Sequence, residues 1–121
     1  MLNSHAGEVA IIDDDPAVLD SLKLLLELEG YRVNAYPSAG AFLADRGAAP
    51  ACLILDQHMP QMSGLDLAER LRQEGSVVPV LLITGSSTAA ILARASALGV
   101  EEVLDKPLHD EDLLHFVSAH C

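Results

Sequence analysis

Rings and positive charge are scarce in this chain. Aromatic residues make up only 3% of the 121 residues, and there is no Trp. A core built here must therefore come from Leu, Val, Ile and Ala, and a hydrophobic content of 50% is enough to supply one. Seven Lys and Arg stand against eighteen Asp and Glu, for a formal net charge of −11. That balance argues against a domain that grips nucleic acid itself, because phosphate binding needs a basic surface. No apolar run approaches the roughly 18 residues that a membrane span needs. The first residues, Met1 to Glu8, lack the basic start and apolar middle of a signal peptide, and positions 1–7 are read as a frayed tail. The two cysteines, Cys52 and Cys121, offer no disulfide framework; Cys52 lies in an apolar run and is read as a small buried hydrophobe. A reducing, cytoplasmic setting is the corresponding expectation. His115 and His120 are five apart, on different faces of a helix, and make no metal pair.

What the chain does contain is organised around Leu53-Ile54-Leu55-Asp56 and the loop Gln57-His58-Met59-Pro60-Gln61-Met62-Ser63-Gly64. A short continuous apolar run between turn signals reads as a strand buried on both faces. Its last residue then emerges at the carboxyl edge of a sheet, where open α/β folds bind ligands. The same pattern recurs along the chain. Val9 to Ile12 is a first strand ended by Asp13-Asp14-Asp15, and Asp15-Pro16 caps a helix that Gly30 stops. Tyr31 to Tyr36 alternates as an edge strand, and Ser38 starts a short helix running to Arg46. Cys52 to Asp56 is followed by a helix from Leu65 to Gly75, and Val80 to Thr84 by a helix over Ser86 to Leu98. Glu101 to Leu104 is the last strand, and the last helix covers Asp110 to Ala119. Length and the absence of repeats or linkers predict one domain over 8–121. Strict βα alternation predicts a doubly wound five-stranded parallel sheet with right-handed crossovers and helices on both faces, and the expected strand order is 2-1-3-4-5.

This topology delivers Asp13, Asp14, Asp56, Thr84 and Lys106 to one crevice. A single Asp at a strand end is more often a helix cap, and Asp15 fits that role. Three carboxylates in one cleft do not, since two unit charges about 4 Å apart repel by on the order of 4 kcal/mol at a surface-like dielectric. A divalent cation accounts for them, and an all-oxygen donor set without Cys or clustered His favours Mg²⁺. With a phosphoryl donor in the cleft, Asp56 can act as nucleophile, while Lys106 and the Thr84 hydroxyl hold phosphoryl oxygens.

Asp13-Asp14, Asp56 followed by Met59-Pro60 and Gly64, Thr84-Gly85 and Lys106-Pro107 together resemble the receiver domain of two-component response regulators, the CheY-like fold, and the loop after Asp56 is most similar to the FixJ-like group. The resemblance covers about Glu8 to His120. It implies that Asp56 accepts a phosphoryl group from a histidine kinase or phosphotransfer protein and then switches a surface that signals to an output domain or partner. It implies Mg²⁺ held by Asp14 and Asp56, by the backbone carbonyl of His58, and by Asp13 through water. It implies Thr84 as the switch hydroxyl, Lys106 as the phosphate-binding cation, and a cis bond before Pro107. Two positions depart from the pattern. Val103 stands where many receivers carry an aromatic switch residue, and His109 where an Asp often caps the last helix.

Three other classes use parts of this set. A dehalogenase-like Mg²⁺-dependent phosphatase needs a second Asp two residues after the nucleophile, where this chain has His58. A flavodoxin-like FMN carrier needs phosphate donors where this chain has Asp13-Asp14-Asp15. A pseudo-receiver acting only as a binding surface would not need the complete acid, Thr and Lys set. The alanine-rich fourth helix and the fifth strand form the expected dimer or partner surface.

Overall fold

Hydrogen bonds join five short apolar segments into one parallel sheet. The computed structural model describes residues 7–45 and 49–121. β1 (Glu8–Ile12) lies between β2 (Arg32–Tyr36) and β3 (Cys52–Asp56); β4 (Val80–Thr84) follows β3, and β5 (Glu102–Asp105) forms the far edge. The order β2-β1-β3-β4-β5 is the one expected from the sequence. Every residue of β3 and β4 is buried, which is why those strands read as unbroken apolar runs. β2 carries exposed Arg32 and Asn34 around buried Val33, as befits an edge.

Side chains alternate across each strand and so feed two cores. Val9, Ile11, Ile54 and Ile83 face α1 (Pro16–Leu28) and α5 (Asp110–His120), where Leu26, Leu113 and Phe116 are buried. Ala10, Ile12, Leu55 and Leu82 face α2 (Ala39–Ala44), α3 (Gly64–Gln73) and α4 (Ala89–Ala97), where Phe42, Leu67 and Ala95 are buried. Burying each such Leu or Phe contributes roughly 1.5–3 kcal/mol.

The helix ends follow side-chain chemistry. Asp15 accepts from the Ala17 amide with Pro16 at the first helical position, Ser38 accepts from Ala41, and Ser63 with Asp66 forms a reciprocal capping box. Two helices are shorter than their sequences suggest. α2 ends at Ala44, and Asp45 beyond it accepts a hydrogen bond from the Tyr36 hydroxyl; Arg46, where that helix was expected to end, lies outside the described residues. α4 starts at Ala89 because the Thr88 hydroxyl caps it, leaving Ser86 and Ser87 in a loop. The expected tail 1–7 lies outside the described residues apart from Gly7.

α4 buries only Ala95. Polar contacts to α3 hold it instead. Arg94 bridges Asp66 at 2.9 Å and Glu69 at 2.8 Å, and Arg72 donates to the Leu98 and Gly99 carbonyls just past the end of α4. The Arg94 guanidinium holds the Asp66 carboxyl below the usual carboxylate range. Each exposed pair contributes at most about 1 kcal/mol.

The reading of the cysteines is corrected by the structure. Cys52 and Cys121 are joined by a disulfide across a sequence separation of 69, with Cα atoms 5.8 Å apart. α5 runs back along the sheet and sets the residue that follows it, Cys121, against the start of β3, a meeting that neither local sequence announces.

Gly64 opens α3 under the carboxyl end of β3. A Cβ there would lie 2.7 Å from the Asp56 carbonyl oxygen and 2.8 Å from Leu82 Cδ1. Gly64→Ala is expected to lower stability by about 1–3 kcal/mol through overpacking. An unchanged urea midpoint would show that the loop yields freely.

Candidate functional site

The site stands on the carboxyl ends of β1, β3, β4 and β5. Asp13 follows β1, held by its amide donating to the Tyr36 carbonyl and by its Oδ1 accepting from the Asp15 amide at 2.9 Å. Asp56 is the last residue of β3 and only 2% exposed. Oxygens of Asp13, Asp14 and Asp56 lie within 4.8 Å of one another, with Asp13 and Asp56 buried and Asp14 exposed. Thr84 ends β4 fully buried, and Lys106 follows β5, its amide donating to the Thr84 carbonyl at 2.9 Å. The Lys106–Pro107 peptide is cis.

Lys106 Nζ lies 3.2 Å from Asp56 Oδ1. The contact is an ion pair, and this buried oxygen has no further hydrogen-bond partner. Three carboxylates then face one ammonium. Burial by itself would lower the Lys106 ammonium, but the contact with Asp56 and the charges of Asp56, Asp13 and Asp14 outweigh it and hold it above its ordinary value. Asp13 is pushed up, first by burial, then by the charges of Asp56 and Asp14, against the hydrogen bond from Asp15. A buried carboxylate oxygen that meets only one ammonium, beside two further acids, suits a hard divalent cation with oxygen ligands. Asp13, Asp14 and Asp56 therefore fit Mg²⁺.

His58 lies on the loop between β3 and α3, two residues past Asp56. Its side chain, not foreseen as a partner for Thr84, places Nε2 3.0 Å from Thr84 Oγ1. The same hydroxyl oxygen accepts from the Ser86 amide at 3.2 Å. Ser87 bonds through its amide and its hydroxyl to the Asp105 carboxylate, next to Lys106. The sequence places Ser86 and Ser87 in a helix rather than a loop, and nothing local pairs His58 with Thr84, since the two partners are 26 residues apart. Gln57 fixes the loop that carries His58: its amide donates to the Ile83 carbonyl and its side-chain oxygen accepts from the Leu65 amide. Val103, paired in register with Leu82, is half-buried against the core on the α4 side. His109 precedes α5 without a side-chain cap bond. His120 stacks near Phe116 with ring centroids 4.7 Å apart.

The surface hollow lined by Asn34, Tyr36, Phe42 and Leu71 also involves Glu8, which opens β1, and Pro50 and Val78, which precede β3 and β4. It lies away from the carboxyl-edge notch and takes no part in the chemistry below.

Comparison with known proteins agrees with this geometry. The family described as "Response regulator receiver domain" matches residues 9–118. Response regulator protein TmoT of Ectopseudomonas mendocina is 40% identical over 114 residues, 93% of this chain and 52% of that protein. Transcriptional regulatory protein FixJ of Bradyrhizobium diazoefficiens is 34% identical over 114 residues, 93% of this chain and 56% of that protein. The chain thus spans about half the length of these curated relatives. Full-length FixJ from B. japonicum superposes with a TM-score of 0.85 at 33% identity, covering 97% of this chain and 58% of that one. Chemotaxis protein CheY4 of Vibrio cholerae shares the fold with a TM-score of 0.86 at 24% identity, covering 94% of this chain and 98% of that one. With the sheet order, the acidic notch and the family match in agreement, the chain belongs to the response regulator receiver domains of two-component signalling.

Proposed function

We propose that Asp56 accepts a phosphoryl group from a phosphohistidine on a sensor histidine kinase or phosphotransfer protein, in a Mg²⁺-dependent reaction. The observation that carries this reading is the Asp56 Oδ1 atom: buried, without a hydrogen-bond partner, 3.2 Å from Lys106, and grouped with two other carboxylates. Asp13, Asp14, Asp56 and the His58 carbonyl would hold the metal, which when bound supplies positive charge against the phosphoryl oxygens. A carboxylate oxygen of Asp56 forms the new bond to phosphorus, the P–N bond breaks, and its electron pair leaves with the imidazole. Lys106 offsets charge on one phosphoryl oxygen. The Thr84 hydroxyl donates to another once it turns from His58. Positioning and charge are nearly all such a transfer needs.

The phosphatase reading lacks its acid/base, because the residue two past Asp56 is His58 and its ring is engaged with Thr84. The pseudo-receiver reading leaves the acid, Thr and Lys set without a purpose. The domain boundaries 8–121, a cytoplasmic setting and a homodimer through α4 and β5 belong to the same proposal. Exposed Leu92 on α4 and the edge position of β5 support that surface. The relatives named as transcriptional regulators point to DNA binding as the output of a longer chain of this kind.

Acetyl phosphate with Mg²⁺ tests the reading. One phosphoryl group per chain on Asp56, lost when the metal is chelated, is the expected result; no incorporation, or continued turnover of small phosphate esters, would overturn it. A second measurement concerns His58, whose side chain competes for the Thr84 hydroxyl. A hydrogen bond worth about 1 kcal/mol implies that His58→Ala lengthens the phosphoaspartate lifetime roughly five-fold. Equal decay rates in the two proteins would remove that role.

A further inference from the structure

The two cysteines lie outside the phosphoryl notch, and no step of the transfer uses them. Cys52 opens β3 and is fully buried in the core that α1 and α5 cover. Cys121 directly follows α5, half-buried against the same core. Their bond closes a ring of chain from 52 to 121 that contains Asp56, Thr84, Lys106 and all of α5. The two ends of α5 are held differently. At the start, His109 gives no side-chain cap bond. At the finish, the Cys121 amide bonds to the Val117 carbonyl and the Cys121 sulfur is covalently tied to β3.

We infer that Cys52–Cys121 is a reversible thiol–disulfide modification site that fixes the end of α5 to the sheet when oxidised and frees it when reduced. The inference is independent of phosphoryl transfer. Its reactant is a low-molecular-weight thiol of the glutathione or dithiol class. The thiolate attacks Sγ of Cys121, the less buried of the two residues, and the S–S bond breaks. Cys52 leaves as a thiolate and takes up a proton. A second thiolate then attacks the reactant's sulfur in the mixed disulfide, the bond to Cys121 Sγ breaks, and Cys121 leaves as a thiolate that takes up a proton, so two reactant thiols end as one disulfide and two protein thiols are formed. Glutathione disulfide drives the reverse reaction. In the cytoplasmic setting proposed above, on which this step rests, disulfides are usually transient and redox-sensing rather than structural, which suits a bond with one half-buried cysteine. In the reduced chain Phe116 and Val117 stay buried in the core, and beyond them the end of α5 keeps only the Phe116–His120 ring contact and backbone bonding, so release is confined to the residues after Val117. Any residues continuing past position 121 would leave the domain from this tethered or released point.

The test uses the 121-residue chain equilibrated in glutathione buffers of varied redox ratio, then denatured and labelled with a maleimide. A Cys52–Cys121 linked peptide in the oxidising buffers, replaced by two labelled thiols in the reducing ones, is the expected result. Hydrogen exchange of the native chain should then show amides near the end of α5 exchanging roughly ten-fold faster or more after reduction. Cys121→Ser should show the fast exchange with and without dithiothreitol. Two free thiols in every buffer would overturn the inference. So would a bond that forms while the end of α5 exchanges at the same rate in both states. The wild-type comparison decides the matter even where the variant folds poorly.

Discussion

Asp56→Asn is expected to leave a folded chain that takes up no phosphoryl group, with incorporation from acetyl phosphate falling by about 10³-fold or more. The amide keeps the shape of the carboxylate but offers no nucleophilic oxygen anion. Folding should survive, because the change removes a buried acid from a notch where three carboxylates oppose one ammonium. Lys106→Met is a graded companion. It keeps the nucleophile and removes the cation 3.2 Å away, so a loss of roughly 10²-fold is expected, comparable to deleting one preorganised charge-stabilising donor. Radiolabel or mass analysis of the intact protein reads both. If Asp56→Asn were labelled as fully as the wild type, the acceptor would lie elsewhere and the roles given to Thr84 and Lys106 would fall with it.

Asp13→Asn should raise stability while lowering phosphorylation. Asp13 is buried and pushed up by desolvation and by the charges of Asp56 and Asp14. Its carboxylate therefore costs the folded chain free energy at neutral pH. Removing that charge is expected to gain about 1–2 kcal/mol, well below the bare Coulomb figure because Lys106 and the Asp15 amide already offset part of it. The sign follows from linkage. A carboxyl whose folded value is raised binds its proton more firmly in the folded chain than in the unfolded one. Its contribution thus declines as pH rises from the ordinary value of 3.8 through the raised one. Asp66, lowered by Arg94, acts in the opposite direction: its support is present above 3.8 and is lost as pH falls through the lowered value. Asp66 is common to both proteins and cancels in their difference. Urea unfolding from pH 3 to 7, without metal, should therefore show the variant gaining on the wild type as pH rises. A variant less stable at pH 7 would mean that the hydrogen bond at Asp13 outweighs the repulsion. With Mg²⁺ present the order should narrow or reverse, since an ion that binds only the folded wild-type site stabilises it by mass action.

How far the chain could be read from its residues depends on the range of the signal. The strand runs ending in Asp13, Asp56 and Thr84, the caps at Asp15 and Ser38, and the turn glycine Gly30 lie within a few residues of the features they create. Alternation of strands and helices then prescribed a parallel sheet with right-handed crossovers, and the expected order 2-1-3-4-5 brings the acids to Lys106. The start of α4 was misplaced because Ser86 and Thr88 are both good caps; the choice of Thr88 went with a loop whose Ser86 and Ser87 bond to Thr84 and Asp105. The contact of His58 with Thr84 spans 26 residues and the cysteine bond 69, and neither leaves a trace in local periodicity.

By itself, then, the order of residues determined the architecture and the membership of the acidic notch, because hydrophobic period, capping and βα handedness act over short stretches of chain. Tertiary structure alone decided which buried oxygen lacks a partner, which side chain occupies the Thr84 hydroxyl, and that Cys52 and Cys121 meet. Those are matters of angle and approach between distant segments, settled only when both faces of the sheet are packed.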